Sequence, residues 1–185
     1  QPGYEQRPGQ EEMALKIGQC GERGRHTVVE AGTGTGKSLA YIVPAVKYAV
    51  KNGVKVVIST YTINLQEQLI NQDIPFTARA VDFEFKAGIA KGRNNYICKR
   101  RLQFALENKK TLFDAPPGEL AELKEWAENT KDGSLSTIPF NPSPSVWDAV
   151  KSEHGNCRGR KCPHRKDCFY SNARKELDQC ELIVL

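Results

Sequence analysis

The sequence predicts an α/β fold: a parallel sheet with helices on both faces, interrupted by a mainly helical insertion. Three observations carry that expectation. Short β-branched runs alternate with helix-length stretches from residue 10 to 90. The run HTVVEAGTGTGKSLA, residues 26–40, sets a glycine-rich turn between an apolar stretch and a helix. From about residue 92 to 175 the alternation stops, and no clear strand is visible over most of that length.

QEEMALKIGQC (10–20) reads as a helix, and TVVEA (27–31) as a short strand feeding the glycine turn. KSLAYIVPAVKYAVK (37–51) is a helix in which Pro44 is a kink or a first-turn exception, and Asn52-Gly53 ends it. VKVVIST (54–60) is a buried strand, 64–71 is helical, and 83–90 is another strand. This β–α–β–α–β order is the pattern of a parallel sheet. Beyond it, 99–109 suggests a basic helix and 119–129 an acidic one with Leu120, Leu123 and Ala127 on one stripe. A Pro/Ser-rich stretch fills 137–145, and Ser145 with Asp148 resembles a capping box. ELIVL (181–185) reads as a strand. The expected organisation is therefore residues 1–91, an insertion at 92–175, and a return to the sheet at 176–185.

The 185 residues suit one domain, or one domain carrying an insertion, and 39% hydrophobic residues suffice for a core. No apolar run of about 18 residues predicts a membrane span, and QPGYEQRPGQ at the start lacks the layout of a secretory signal. The formal net charge of +5 modestly favours an anionic partner, although ordinary solubility accounts for it equally well. Six cysteines in a chain with long regular segments fit a reducing compartment, where clustered thiols mean metal or redox chemistry more often than disulfides.

The phosphate-loop pattern G-x-x-x-x-G-K-S/T is met with Ala31 at its first position and an extra Gly34. In Ala31, Gly32, Thr33, Gly34, Thr35 and Gly36, the glycines let backbone N–H groups turn onto phosphate oxygens. Lys37 would reach the β/γ-phosphates as the catalytic cation, the Ser38 hydroxyl would ligate Mg²⁺, and the following helix would aim its positive end at the phosphates.

Cys98, Cys157, Cys162 and Cys168 form the pattern C-x58-C-x4-C-x5-C. Structural zinc usually takes C-x2-C knuckles, and none occurs here. Wider gaps suit an iron–sulfur cubane; zinc and ordinary buried thiols are the alternatives. Arg100 and Arg101 follow Cys98, and Arg158, Arg160, Lys161, Arg165 and Lys166 flank the others, so a negative cluster would sit in a positive field. The same cations could meet nucleic-acid phosphates. Cys20 and Cys180 fall outside the pattern and read as core thiols.

The T-G-T-G-K-S loop resembles the first motif of superfamily 2 helicases. Tyr4 with Arg7 to Gln10 resembles their Q-motif, in which an aromatic ring and a glutamine read adenine. Ser59 to Leu69 resembles motif Ia, placing Thr60, Thr62 and Gln66 where they could hold a nucleic-acid backbone; the alternative is a helix cap with solvated glutamines. With KGRNNYIC (91–98) and the three later cysteines, the chain resembles the N-terminal part of a DinG/XPD-like iron–sulfur DNA helicase, nearest the bacterial DinG branch. The resemblance implies a RecA-like motor domain carrying a 4Fe–4S insertion at Cys98, Cys157, Cys162 and Cys168. It implies ATP and Mg²⁺ as cofactors, 5′→3′ movement on single-stranded and forked DNA, and strand separation by the insertion. Arg93, Arg158 and Lys161 would add DNA contacts. A monomer in the bacterial cytoplasm at the nucleoid, with single-strand DNA binding protein as a partner and no membrane, completes the expectation. No Asp-Glu dipeptide occurs in the 185 residues. The family's acidic box and second motor lobe are thus expected elsewhere in a longer protein, and this part alone is expected not to hydrolyse ATP. Two rivals remain: a structural nucleic-acid binding module without a motor, and a redox-responsive one.

Overall fold

Pro8 pre-sets the backbone of a first helical turn and opens α1 (Pro8–Glu22). In the computed structural model of the chain, which describes residues 7–108 and 118–185, α1 is followed by α2 (Lys37–Asn52). Ala40, Ile42, Val46 and Ala49 recur at helical spacing on α2 and are all buried. This helix continues through Pro44 rather than ending there. An ion pair of 2.7 Å between Lys51 Nζ and Glu22 Oε1 ties α2 to α1. Then come β1 (Val56–Ile58), α3 (Ile63–Gln68), a π turn over Leu69–Asp73, α4 (Ile74–Ala80) and β2 (Ala87–Ile89).

The chain divides into two compact units. Residues up to Ala90 join Leu177–Leu185 in the first, and Lys91–Glu176 form the second. In the first unit the last strand, β3 (Leu182–Val184), lies between β1 and β2 and is parallel to both. Ile183 is in register with Val57 on one side and Gly88 on the other. Leu182 and Val184 are fully buried against Ile42, Val46, Leu69 and Ile74. The expected α/β class with a parallel sheet is thus present.

Several local expectations need correction. TVVEA forms no strand: Thr27–Ala31 has no ladder partner, and Val28 is 99% exposed. A β-branched run is a strand only where another strand satisfies its backbone, and β3 pairs with β1 and β2 instead. The helical region read at 64–71 continues through the π turn and α4 to Ala80: the backbone stays right-handed helical at Gln68, Leu69, Asp73 and Ile74, and the π turn directly precedes Pro75, where the ladder lacks an N–H. The strands are also shorter than the apolar runs that announced them.

The second unit is helical: α5 (Lys99–Glu107), α6 (Glu119–Asn129), α7 (Pro144–Val150) and α8 (Phe169–Leu177), the last not assigned from pattern. The stripe Leu120, Leu123 and Ala127 is buried with Tyr96, Leu102, Val146, Trp147 and Phe169. Trp147 Nε1–H donates to the Asn94 carbonyl at 3.1 Å, which satisfies the one polar atom of its indole. The Ser145–Asp148 capping box does not form. Ser143 is the N-cap of α7, its hydroxyl donates to Glu119 Oε2 at 2.9 Å, and Asp148 accepts from Lys151. A carboxylate from α6 has thus taken the place of a local cap. Among the described residues no helix is long and apolar enough to cross a membrane.

Gly133 is the backbone constraint of this unit. Its φ is +61°, and a Cβ there would lie 2.3 Å from the Phe169 ring. Gly133→Ala combines a left-handed backbone penalty with overpacking, so it is expected to cost about 3 kcal/mol of unfolding free energy. Denaturant titration of this unit's tryptophan fluorescence measures it, and an unchanged midpoint would contradict it.

Candidate functional site

In the first unit the glycine loop is held from outside by α1. Gly36 is the N-cap of α2 with φ +76°, and its carbonyl accepts from Gln10 Nε2 at 2.9 Å. The Gly34 carbonyl accepts from an Arg7 guanidinium N–H at 2.8 Å. Thr35 Oγ1 donates to the Gly32 carbonyl at 2.9 Å. The Lys37 ammonium donates to the carbonyls of Ala31 at 2.9 Å and Gly32 at 2.7 Å. Those are neutral acceptors, and an anionic phosphate is a stronger partner for the same cation. No side chain caps the N-terminus of α2, so its first N–H groups are not taken by a side-chain cap. Ser38 hydrogen-bonds the Tyr41 phenol; burial pushes that phenol's pKa up, and the Ser38 bond offsets part of the rise. Tyr4 lies outside the described residues.

The two motif Ia hydroxyls make hydrogen bonds within the first unit. Thr62 Oγ1 accepts from the Leu65 N–H at 3.3 Å as the N-cap of α3. Thr60 Oγ1 donates to the Leu185 carbonyl at 3.2 Å, and the backbone N–H of the half-buried Gln66 donates to the Thr62 carbonyl at 3.1 Å. Thr62 thus caps α3 in the free chain, while Tyr61 between the two threonines is fully exposed.

In the second unit Cys98, Cys157, Cys162 and Cys168 line one cavity of about 190 Å³. Cys98 is the N-cap of α5, Cys162 follows the 3₁₀ turn Gly159–Lys161, and Cys168 immediately precedes α8. The thiols feel one another: burial, with the charges of the other three cysteines adding, raises the pKa of Cys168. The Gly159 N–H, then Arg93 and Arg100, lower that of Cys157. Among the described residues no three His, Cys, Asp or Glu side chains are close enough to share one metal ion. Four thiols lining one cavity are a donor set that could hold a polynuclear cluster, in which each thiolate binds a different iron. Arg93, Arg100, Arg101, Arg158, Arg165 and Arg174 line the same cavity. Arg93 and Arg158, read as DNA contacts, therefore lie beside the thiols, whereas Lys161 is exposed in its turn. Tyr170 and Arg174 also line it and carried no motif; their position on α8 puts them there. Cys180 is buried in the first unit, and Cys20 is half-buried on α1.

Residues 7–131 match a family model described as DEAD/DEAH box helicase. The chain is 39% identical over 189 residues to the ATP-dependent DNA helicase YoaA of Escherichia coli (strain K12), covering 100% of this chain and 28% of that protein. It is 34% identical over 200 residues to the ATP-dependent helicase DinG of Mycobacterium tuberculosis (strain ATCC 25618 / H37Rv), covering 98% and 30%. With the 3′-5′ exonuclease DinG of Bacillus subtilis (strain 168) it shares 29% identity over 185 residues, covering 99% and 20%. The chain thus spans less than a third of the length of these relatives.

A Cβ on Gly36 would approach Gln10 Nε2 to 2.2 Å at a φ of +76°. Gly36→Ala must therefore strain the loop and displace Gln10, at a cost of about 1–2 kcal/mol or more, close to tenfold in affinity. Titration with a fluorescent ATP analogue and Mg²⁺ on the protein carrying this chain is expected to show that loss with unchanged helix content. Equal affinities would contradict the geometry.

Proposed function

The chain belongs to the DEAD/DEAH box helicase family, and on that premise we propose that it is the N-terminal part of an ATP-driven DNA helicase with a 4Fe–4S unit. The observation that carries the reading is the pairing of two sites in one chain. A phosphate loop is gripped by Arg7 and Gln10, and four cysteines line an arginine-rich cavity. ATP binds over Ala31–Ser38, with Lys37 leaving the Ala31 and Gly32 carbonyls for the phosphates and Ser38 ligating Mg²⁺. Tyr4, Arg7 and Gln10 complete the base end of that site. Cys98, Cys157, Cys162 and Cys168 hold the cluster, which when bound supplies a four-point cross-link across the second unit and a one-electron redox centre.

DNA is the substrate in this reading, single-stranded or forked, with 5′→3′ movement and strand separation at the second unit. Thr60, Thr62 and Gln66 contact the backbone from the first unit, and Arg158 and Lys161 do so from the second. The Thr60 hydroxyl already donates in the free chain, whereas Arg158 and Lys161 are exposed cations that meet a phosphate without a hydroxyl changing partners. A cytoplasmic, nucleoid-associated monomer working beside single-strand DNA binding protein fits this reading. The water-orienting acid and second lobe belong to the remainder of the longer protein.

The test separates the two sites in the full-length protein. Lys37→Ala removes the cation that neutralises charge on the transferring phosphoryl group, a loss of roughly 10²–10³ in rate. It is expected to abolish ATP hydrolysis and unwinding while iron content stays at wild-type level. Cys168→Ser is expected to lose iron and unwinding and to keep part of the DNA-dependent ATP hydrolysis. Normal unwinding by Cys168→Ser would contradict the strand-separating role, and full hydrolysis by Lys37→Ala would contradict the nucleotide site.

A further inference from the structure

Tyr170 is pinned on several sides. The Arg93 guanidinium stacks on its ring at 3.9 Å from the centroid, and the Arg174 guanidinium lies 5.4 Å from the same centroid. The Arg174 Nε–H also donates to the Tyr170 hydroxyl at 3.3 Å. The buried Tyr96 ring meets Tyr170 edge-on, with centroids 5.7 Å apart. Arg93, Tyr170 and Arg174 all line the cysteine cavity. The ion pairs of this part of the unit use Lys99, Arg101 and Lys151, not Arg93 or Arg174. Arg101, another guanidinium of the cavity wall, is offset by Glu153 at 3.1 Å, and Arg100 donates to the Asn156 carbonyl at 2.6 Å. The ring thus holds two guanidiniums at the cavity wall that make no ion pair among the described residues.

We propose that Tyr170 is a positioning residue that holds Arg93 and Arg174 against the cysteine cavity, and that their charge raises the one-electron reduction potential of the iron–sulfur group bound there. The inference rests on the iron–sulfur reading above. Reduction adds one electron, supplied in the test by dithionite, to a group already negative with its four thiolates. No covalent bond forms or breaks and no proton moves. Added negative charge is favoured by fixed cations nearby, and charge around the thiolates is one of the levers that set cluster potentials. Arg93 is partly buried and Arg174 exposed, so solvent screens Arg174 more and Arg93 carries the larger share.

The experiment is an anaerobic potentiometric titration, followed by electron paramagnetic resonance of the reduced cluster, on the iron-loaded protein and four variants. Arg93→Gln is expected to lower the reduced-to-oxidised ratio at a fixed potential about tenfold, which is 59 mV for one electron. Tyr170→Leu, which removes the ring, is expected to shift in the same direction. Tyr170→Phe keeps the ring under Arg93 and is expected to shift little, and Arg174→Gln to give a smaller shift than Arg93→Gln. A merely structural ring would change iron content and leave the potential of the loaded fraction alone. Should Arg93→Gln or Tyr170→Leu fail to load iron, the exposed Arg174→Gln still reads the charge effect. Unshifted potentials in the loaded variants would overturn this inference alone, whereas wild-type protein without iron and acid-labile sulfide would overturn the iron–sulfur reading and this one with it.

Discussion

The two parallel ladders that Leu182–Val184 makes, with Val56–Ile58 on one side and Ala87–Ile89 on the other, are the constraint on which the first unit depends. Of the three described strands, the central one is the last in sequence. Among the described strands, β1 and β2 therefore meet their common partner only once the chain has returned from Lys91–Glu176. Loop-closure entropy grows only logarithmically with length, by about 0.6 kcal/mol per doubling, so a long excursion between paired strands is tolerated provided it folds into its own core. Tyr96, Leu102, Leu123, Val146 and Trp147 supply that core. Such long-range pairing also favours slow assembly of the sheet relative to its helices.

The same return strand bears on both ends of the first unit's chemistry. Leu182 and Val184 pack on Ile42 and Val46 of α2, the helix whose first residue is Lys37. α1 lies along α2 and sends Arg7 and Gln10 onto the Gly34 and Gly36 carbonyls. The phosphate loop is thus fixed at its helical end by the sheet and along its length by two side chains of α1. Lys37, bonded to neutral carbonyls, is the member free to exchange partners at modest cost.

The α/β class was legible because α2 carries a helical stripe and β1 and β3 carry short β-branched or apolar runs, and the packed structure uses both patterns. TVVEA misled because a local run reports β-propensity and not the presence of a neighbouring strand. The capping box at Ser145 misled because the competing group, Glu119, lies 24 residues away from Ser143 in sequence. The four cysteines could be grouped from spacing and their flanking cations alone. Tyr170 and Arg174 could not, since a tyrosine and an arginine four apart on a helix look like any half-exposed face until Arg93 is seen on the ring. Thr62 illustrates the converse: a residue of a family-like motif whose hydroxyl caps a helix in the free chain.

The central claim is that the cavity shared by Cys98, Cys157, Cys162 and Cys168 holds an iron–sulfur cluster. X-ray absorption at the iron and zinc edges of anaerobically prepared protein tests it most directly, because it reports the element, its sulfur neighbours and any second metal in one measurement. The account predicts iron in a sulfur shell with an iron–iron shell beyond it. Zinc in a single sulfur shell at about 2.3 Å, with no iron, would contradict it.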